Sequence, residues 1–579
     1  MPATTIAFAT TAGGSLLVMS VAVPVAGLLL AFAAGGRQVA RIALATMPIG
    51  LAIAIAIGVA LAQNGAPLEY LLGGWAPPLG LALRADGLSA VMLAITAVVI
   101  CAIAVFACGD FGNSPRTTEA RAPFAFWILL LAIWAALNTI FLGSDLFTLY
   151  VALELLTFAA VPLVCLDGRA ETLQAALRYL LFALLGSALY LAGTALIYGA
   201  YGTLDMVVLS HRVRAEPATL FAAALMTIGL LAKTALFPLH LWLPPAHAGA
   251  PAAASAVLSA LVVKGSFFII VRIWFNAMPE LPGFPAMALL AILGTGAIVF
   301  GSIVALRQRR LKLLIAYSTL AQIGFLFLMF PLAQDPGSPA LHIGGALTGG
   351  LLQTISHATA KAAMFMAAGL IYAALGHDRI AGLAGVAQAL PMSVVAFALA
   401  GAALIGLPPS GAYLAKDLLL HAAAQTQQWW WAVVVQAGGI FTSSYVLLVL
   451  AHALAPASKS PMPRRQVPRY QEATALALAM CSLLLGLVDW EADLPFPRGI
   501  PSDLLTLKAL STSLWPILAG AALAVLLGRW GSAGPVRRIA LPFARVIELI
   551  EVTFRQWPAA GVSLLILLIG FGTVLLAGW

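Results

Sequence analysis

Apolar residues in this chain gather into runs about twenty long, separated by short stretches that carry most of its charge. A run of that length matches the hydrocarbon thickness of a bilayer at the rise of an α-helix, so each predicts a membrane-spanning helix. About sixteen such runs follow one another, at 15–34, 42–62, 88–108, 123–142, 146–166, 173–200, 219–239, 252–275, 285–306, 312–332, 342–373, 391–423, 428–454, 472–488, 511–528 and 560–578. The expected architecture is an all-α polytopic membrane protein without a separable soluble domain. The first run lacks a basic stretch before it, so it is expected to be a retained span rather than a cleaved signal.

The loops test this count independently. Those after odd-numbered spans hold Arg37 and Arg41, Arg116 and Arg121, Arg169, Arg307 with Arg309, Arg310 and Lys312, Arg379, Lys459 with Arg464, Arg465 and Arg469, and Arg529 with Arg537, Arg538, Arg545 and Arg555. Those after even-numbered spans hold Asp145, Glu280, Asp335, Asp489, Glu491 and Asp493. The excess of basic residues on alternate loops places the odd loops in the cytoplasm and both termini outside. Arg84, Arg212 and Arg214 run against that bias. The proline-rich, basic loop at 456–470 predicts a seam between a main bundle and a C-terminal appendage. Residues 533–557 have the mixed pattern of either a membrane-surface helix or a cytoplasmic connector.

Composition agrees and narrows the function classes. With 62% hydrophobic and 9% charged residues and a mean hydropathy of +1.02, a soluble fold is excluded. The net charge of +9 is spread over loops rather than one continuous face, so topology accounts for it and no nucleic-acid partner is expected. Cys101, Cys108, Cys165 and Cys481 form no C-x-x-C pair and read as packing residues; no metal or other cofactor is expected. The chain has no phosphate-binding loop, dinucleotide fingerprint, zinc motif or nucleophile elbow, so covalent catalysis is unsupported.

The exceptions inside the apolar runs carry the chemistry. Glu154, Lys233, Lys264 and Lys416 each stand within a span, where a charge costs roughly 2.5–3.5 kcal/mol, and such residues mark ion paths and find partners. Lys233 is the natural partner for Glu154. Between Lys233 and Lys264 lie Pro238, Pro244, Pro245 and Pro251 with His240 and His247. Prolines break helices, and broken backbone survives at membrane depth only where protein or a wet cavity surrounds it. A second break, Pro408-Pro409-Ser410-Gly411, precedes Lys416 and Asp417. Two breaks, each within about two turns of a lysine, point to two related halves.

His357 and Lys361 share one helix face at i, i+4 and could relay a proton, or could be a structural pair. His240 reads equally as a relay or a carbonyl cap, and His342 is left open. Asp417 is either a partner for Lys416 or the polar end of a helix. His247 reads as loop structure, and Arg272 as a side chain snorkelling toward an interface.

Five segments, taken together, resemble a known family. They are SDLFTLYVALELLTF around Glu154, LAKTALFPLHLWLPPAHAGAPAAASAVLSALVVKG around Lys233 and Lys264, RLKLLIAYSTLAQIG at 310–324, SHATAKAAMF at 356–365 and LPPSGAYLAKD at 407–417. In this order they resemble the antiporter-like subunits of respiratory complex I, of membrane-bound (group 4) hydrogenases and of the multisubunit Mrp cation/proton antiporters. Lysine at both 264 and 416 is nearer the Mrp D-type and hydrogenase-type members.

The resemblance implies a fourteen-helix core with two inverted five-helix repeats, at 121–284 (spans 4–8) and 285–455 (spans 9–13), broken at spans 7 and 12. Residues 1–120 precede the repeats and 456–579 follow them. It implies a proton path through Glu154, Lys233, Lys264 and Lys416, with His357 and Lys361 added from the residue reading above and His240, His342 and Asp417 as possible relays. It also implies other membrane subunits as partners, protons with Na+ as a candidate coupled ion, and a bacterial-type inner membrane. Leu153, Gln322 and the two-span C-terminal extension depart from the common pattern. The expected function is a proton-translocating subunit; a self-sufficient Na+/H+ antiporter and a membrane scaffold for a soluble partner, as in inorganic carbon uptake, are the alternatives.

Overall fold

The computed structural model describes residues 8–112, 121–281, 283–335, 341, 344–456, 464–488, 490, 507–530 and 545–577. Among the described residues, fourteen helices are each long and apolar enough to cross a membrane. Two further spans come from shorter pieces. One is the pair Pro391–Ile405 and Gly411–Gln425, and the other is Leu507–Trp530. Fourteen and two make the sixteen that the apolar runs predict, in the same order. A two-stranded antiparallel ribbon, β1 (Leu68–Leu71) and β2 (Ala82–Ala85), joins spans 2 and 3 and interrupts the otherwise helical chain.

Spans 7 and 12 are broken where the prolines predict. Helix Pro217–Thr234 stops at Ala235, which is left-handed at φ 59°, and a turn leads to the short helix Leu243–Gly249. Pro244 and Pro245 stand in its first turn, where a missing N–H costs nothing. Helix Pro391–Ile405 ends at Gly406, whose φ of +89° suits glycine alone, and resumes at Gly411 with the Ser410 hydroxyl accepting from the Tyr413 amide. Span 8 is continuous but contains two π-helical turns, Leu258–Val262 and Ile273–Ala277, which the apolar pattern did not foretell.

Close backbone contact locks the spans on either side of these breaks. Spans 6 and 7 meet at Gly186 and Gly229, where an added Cβ on Gly229 would lie 2.3 Å from the Gly186 carbonyl oxygen. Spans 9 and 10 meet in the same way at Gly294 and Gly324. Helices in lipid have little hydrophobic force to press them together, so small residues that admit close packing take over that role.

Each end of the bundle gathers the loops that the order of the spans assigns to it. Loops following odd-numbered spans converge on a cavity of about 590 Å³ lined by Asp167, Arg169, Arg310, Lys312, Arg465 and Arg555 among others. Loops following even-numbered spans converge on a smaller one of about 270 Å³ at Arg84, Asp86, Ser144, His211, Arg272 and Asn276. Lys312 is not a simple loop cation. It is buried, donates to the Ala250 carbonyl at 3.1 Å and lies over the Tyr372 ring.

Two expectations need correction. Arg272 does not snorkel: its guanidinium grips the Asp86 carboxylate through two hydrogen bonds of 2.5 and 2.6 Å and donates to Ser89 as well. Burial alone would raise the Asp86 carboxyl, but Arg272 holds it well below the usual carboxylate range. The last spans do not form a separate appendage either. Glu472 of span 14 accepts from the Ser393 amide and hydroxyl, capping the first half of span 12, and Phe554, in the helical stretch at 545–554, packs edge-on against Phe237 at the span 7 break. Residues 457–463 and 531–544, which carry parts of the expected seam and connector, lie outside the described residues, as do Arg116, Lys459, Asp489, Glu491 and Asp493.

Replacing Asp86 by Ala strands a buried guanidinium. The expected cost is about 2–3 kcal/mol, below the roughly 3–5 kcal/mol of a fully buried pair because the Asp86 side chain is 29% exposed. Thermal unfolding of the purified protein in detergent checks this, with the double variant Asp86→Ala/Arg272→Met expected to recover most of the loss.

A candidate proton seam through the bundle

The predicted charges fall along one polar seam, and each lysine is held by a different kind of acceptor. At the flank, Lys233 Nζ lies 3.0 Å from Glu154 Oε1 and also donates to the Ser187 hydroxyl of span 6. The lysine side chain is 7% exposed and the carboxylate 15%. Exposed Val151, Leu155 and Phe158 surround Glu154 on its own helix, so this end of the seam borders whatever covers span 5. Lys233 sits at the last turn of helix Pro217–Thr234, where free carbonyls also favour a cation.

Deeper in, Lys264 Nζ lies 2.5 Å from His357 Nδ1 and donates to the Ser259 carbonyl, also at 2.5 Å. The carbonyl is available because the π-helical turn Leu258–Val262 disturbs the regular ladder; such turns recur at functional sites. Lys361, one turn beyond His357 on span 11, donates to the Ser318 hydroxyl of span 10 at 2.5 Å. Lys264, His357 and Lys361 are all buried, and among the described residues no carboxylate is hydrogen-bonded to any of them. Several cationic groups without a hydrogen-bonded carboxylate are costly to keep in a low-dielectric site.

At the second break Lys416 donates to the Leu404 and Ile405 carbonyls at 3.2 and 2.7 Å, the open C-terminal end of helix Pro391–Ile405, and lies over the Phe325 ring. Its counter-charge is thus a helix dipole. Asp417, offered as its partner, turns instead to His421 at 3.5 Å. Hydroxyl pairs stitch the intervals: Thr234 to Ser266 at 2.8 Å between spans 7 and 8, and Ser259 with Thr319 at 2.9 Å between spans 8 and 10.

The remaining histidines are placed differently from expectation. His240 lies among Phe237, Phe300 and Phe554, with the Pro238 backbone as its polar neighbour. His247 is not loop structure but a fully buried part of helix Leu243–Gly249, stacked on Phe365. His342 lies outside the described residues. No cluster of histidine, cysteine and carboxylate groups suited to a metal occurs among the described residues.

Residues 143–442, which contain the whole seam from Glu154 to Lys416, match the family model described as NADH:quinone oxidoreductase/Mrp antiporter, transmembrane region. The chain belongs to this family. It is 32% identical to the N-type subunit of the NADH-quinone oxidoreductase of Desulforudis audaxviator over 72% of this chain and 82% of the relative. It is 28% identical to the D-type subunit of the Na+/H+ antiporter of Alkalihalophilus pseudofirmus over 76% and 87%. Two solved structures share the fold at 24% identity. The Mrp complex of a Dietzia species superposes with a TM-score of 0.72 over 89% of this chain and 97% of its own. The membrane-bound sulfane sulfur reductase, an archaeal respiratory membrane complex, superposes with 0.74 over 88% and 99%.

Within this antiporter-family chain, the sequence singled out every buried lysine of the seam but, Glu154 and His357 apart, not the groups that receive them. Ser187, Ser318 and the Leu404 and Ile405 carbonyls are ordinary residues in apolar runs until the fold brings them to an ammonium. A double-mutant cycle on Glu154→Gln and Lys233→Met is expected to show coupling of about 1–3 kcal/mol in unfolding free energy; additivity within about 0.5 kcal/mol would contradict the observed contact.

Proposed function

We propose that this chain is the proton-translocating membrane subunit of a Mrp-type cation/proton antiporter or of a complex I-like or hydrogenase-like assembly. Protons move along Glu154, Lys233, Lys264, His357, Lys361 and Lys416. The observation that carries this reading is the seam itself: four buried lysines and a histidine strung across the bundle with, among the described residues, one carboxylate partner, at its flank. A purely structural lysine would be expected to have a carboxylate beside it, since an unpaired buried charge is costly.

The mechanism follows from that imbalance. While Glu154 holds Lys233, the ammonium is stabilised. When the pair parts, an unpaired charge in an apolar site is unfavourable, and the amine releases its proton toward Lys264 and His357. Lys361 and Lys416 extend the chain into the second half. Each break lies next to a lysine, so a small change in half-helix position alters the acceptors a lysine can reach. The division into repeats at 121–284 and 285–455 is part of the same proposal. A unit of five spans begins and ends on opposite faces, so two in succession are inverted, and each has its break at its fourth span.

The names of the relatives support protons, with Na+ as a candidate coupled ion, as the cargo, and other membrane subunits as partners, one of them covering the Glu154 flank. A bacterial-type inner membrane is the proposed location. The chain itself offers no site for redox chemistry among its motifs, so any such reaction belongs to another polypeptide.

Proteoliposomes holding the chain alone, or together with the subunits that copurify with it, test the reading by dissipation of a pH gradient with and without Na+. In the assembly, Lys233→Ala and Glu154→Ala are expected to abolish flux while insertion and assembly persist. Activity of the chain alone would make it a self-sufficient antiporter. Intact function with Lys233, Lys264 and Lys416 all neutralised would leave only a scaffold.

A further inference from the structure

Between Lys361 and Lys416 the seam passes through neutral groups, and their hydrogen bonds can be assigned one by one. Gln322 of span 10 accepts at Oε1 from Gln353 Nε2 at 2.8 Å. Its own amide hydrogens go to Thr442 Oγ1 at 3.0 Å and to the Tyr445 hydroxyl oxygen at 3.2 Å. All four side chains are buried. Thr442 spends its hydroxyl hydrogen on the Gly438 carbonyl at 2.7 Å. Ser318, which accepts from Lys361, spends its own on the Ile315 carbonyl at 2.8 Å.

Tyr445 differs from its neighbours. Its oxygen accepts from Gln322, so its hydrogen is directed elsewhere, and no backbone carbonyl among the described residues claims it. Ser318 and Thr442 are its other polar neighbours. Of the hydroxyls described in this cluster, it is therefore the one whose proton is not committed to the backbone of its own helix. An amide such as Gln322 cannot fill this place, since it donates and accepts but does not take up a proton at neutral pH. Lys416 approaches the same helix on the far side of the cluster: a Cβ added to Gly439, six residues before Tyr445, would lie 3.8 Å from its Nζ.

We propose that the Tyr445 hydroxyl is the proton-carrying link between Lys361 and Lys416, with Gln322 as the positioning residue that aims it. This rests on the proton-path reading above and names the group that joins its two halves. In the transfer, an N–H bond of the Lys361 ammonium breaks as an O–H bond forms at Ser318. Ser318 first turns its hydrogen from the Ile315 carbonyl to the Tyr445 oxygen; that hydrogen passes to Tyr445, and the hydrogen of Tyr445 leaves through water to the neutral amine of Lys416. Lys361 ends as a neutral amine and Lys416 as an ammonium. Both hydroxyls regain their starting state by rotation, and no net charge is created.

The test measures proton flux in proteoliposomes of the copurified assembly for Tyr445→Phe, Lys233→Ala and Ser443→Ala. Ser443 is the neighbouring hydroxyl, bonded to the Gly439 carbonyl and outside the cluster. The expected results are loss of about 100-fold for Tyr445→Phe, the lower end for a positioned proton-transfer group, loss in Lys233→Ala, and unchanged flux in Ser443→Ala. A ring-fluorinated tyrosine at 445, whose phenol is more acidic, keeps the size and hydrogen bonds and is expected to change the rate of flux with assembly intact, because the proton transferred is the phenol's own. Full flux in Tyr445→Phe with none in Lys233→Ala overturns the link and leaves the path standing. Full flux in both overturns the two together. Loss in Tyr445→Phe with an unchanged rate of flux for the fluorinated protein makes the hydroxyl structural and overturns the link.

Discussion

An ammonium in the hydrocarbon layer must find a lone pair or lose its proton, and this constraint organises the structure around four lysines. Each meets it differently. Lys233 has a carboxylate, Lys264 an imidazole and a carbonyl, Lys361 a serine hydroxyl, and Lys416 the open end of a half-helix. The acceptors differ in kind, from a full charge at the flank to neutral dipoles inside. A chain of equal ion pairs would hold its protons too well to move them.

The breaks in spans 7 and 12 follow from the same constraint. A regular helix satisfies every carbonyl internally and offers none to a side chain. Ending a helix in mid-membrane frees carbonyls, and at Lys416 two of them serve as the acceptor. The π-helical turn beside Lys264 releases Ser259 by a smaller distortion. Freed backbone is tolerable because span 8 is wholly buried and the span 7 break is enclosed by Phe300 and Phe554.

That enclosure gives the C-terminal spans a structural reason. Span 14 supplies Glu472 to the amide end of the half-helix whose carbonyl end holds Lys416, so one fifteen-residue helix carries an anion at its start and a cation at its finish. The helix leading into span 16 brings Phe554 to the break in span 7 and Glu551 to the Tyr317 hydroxyl of span 10. The C-terminal spans thus fasten onto span 7 at its break, onto span 10 and onto the start of span 12.

Much of this protein was legible in its residues because membrane burial imposes strict rules. Apolar runs of bilayer length dictated the sixteen spans, and prolines dictated the two breaks. Lysines amid Leu, Ala and Val could only be buried, so the cationic members of the seam were visible, and Glu154 and Lys233 could be paired on charge alone. What stayed hidden were neutral or distant partners. Serine, threonine, tyrosine and glutamine cost too little in a span to stand out, so nothing in the chain marked Ser318, Gln322 as an amide clamp, or Tyr445. Asp86 and Arg272 lie 186 positions apart; Arg272 read as an interfacial residue, and nothing marked Asp86 as its partner until the fold joined them. Spacing along one helix reveals neighbours at three and four residues; contacts between helices depend on rotation and crossing, which only the packed tertiary structure decides.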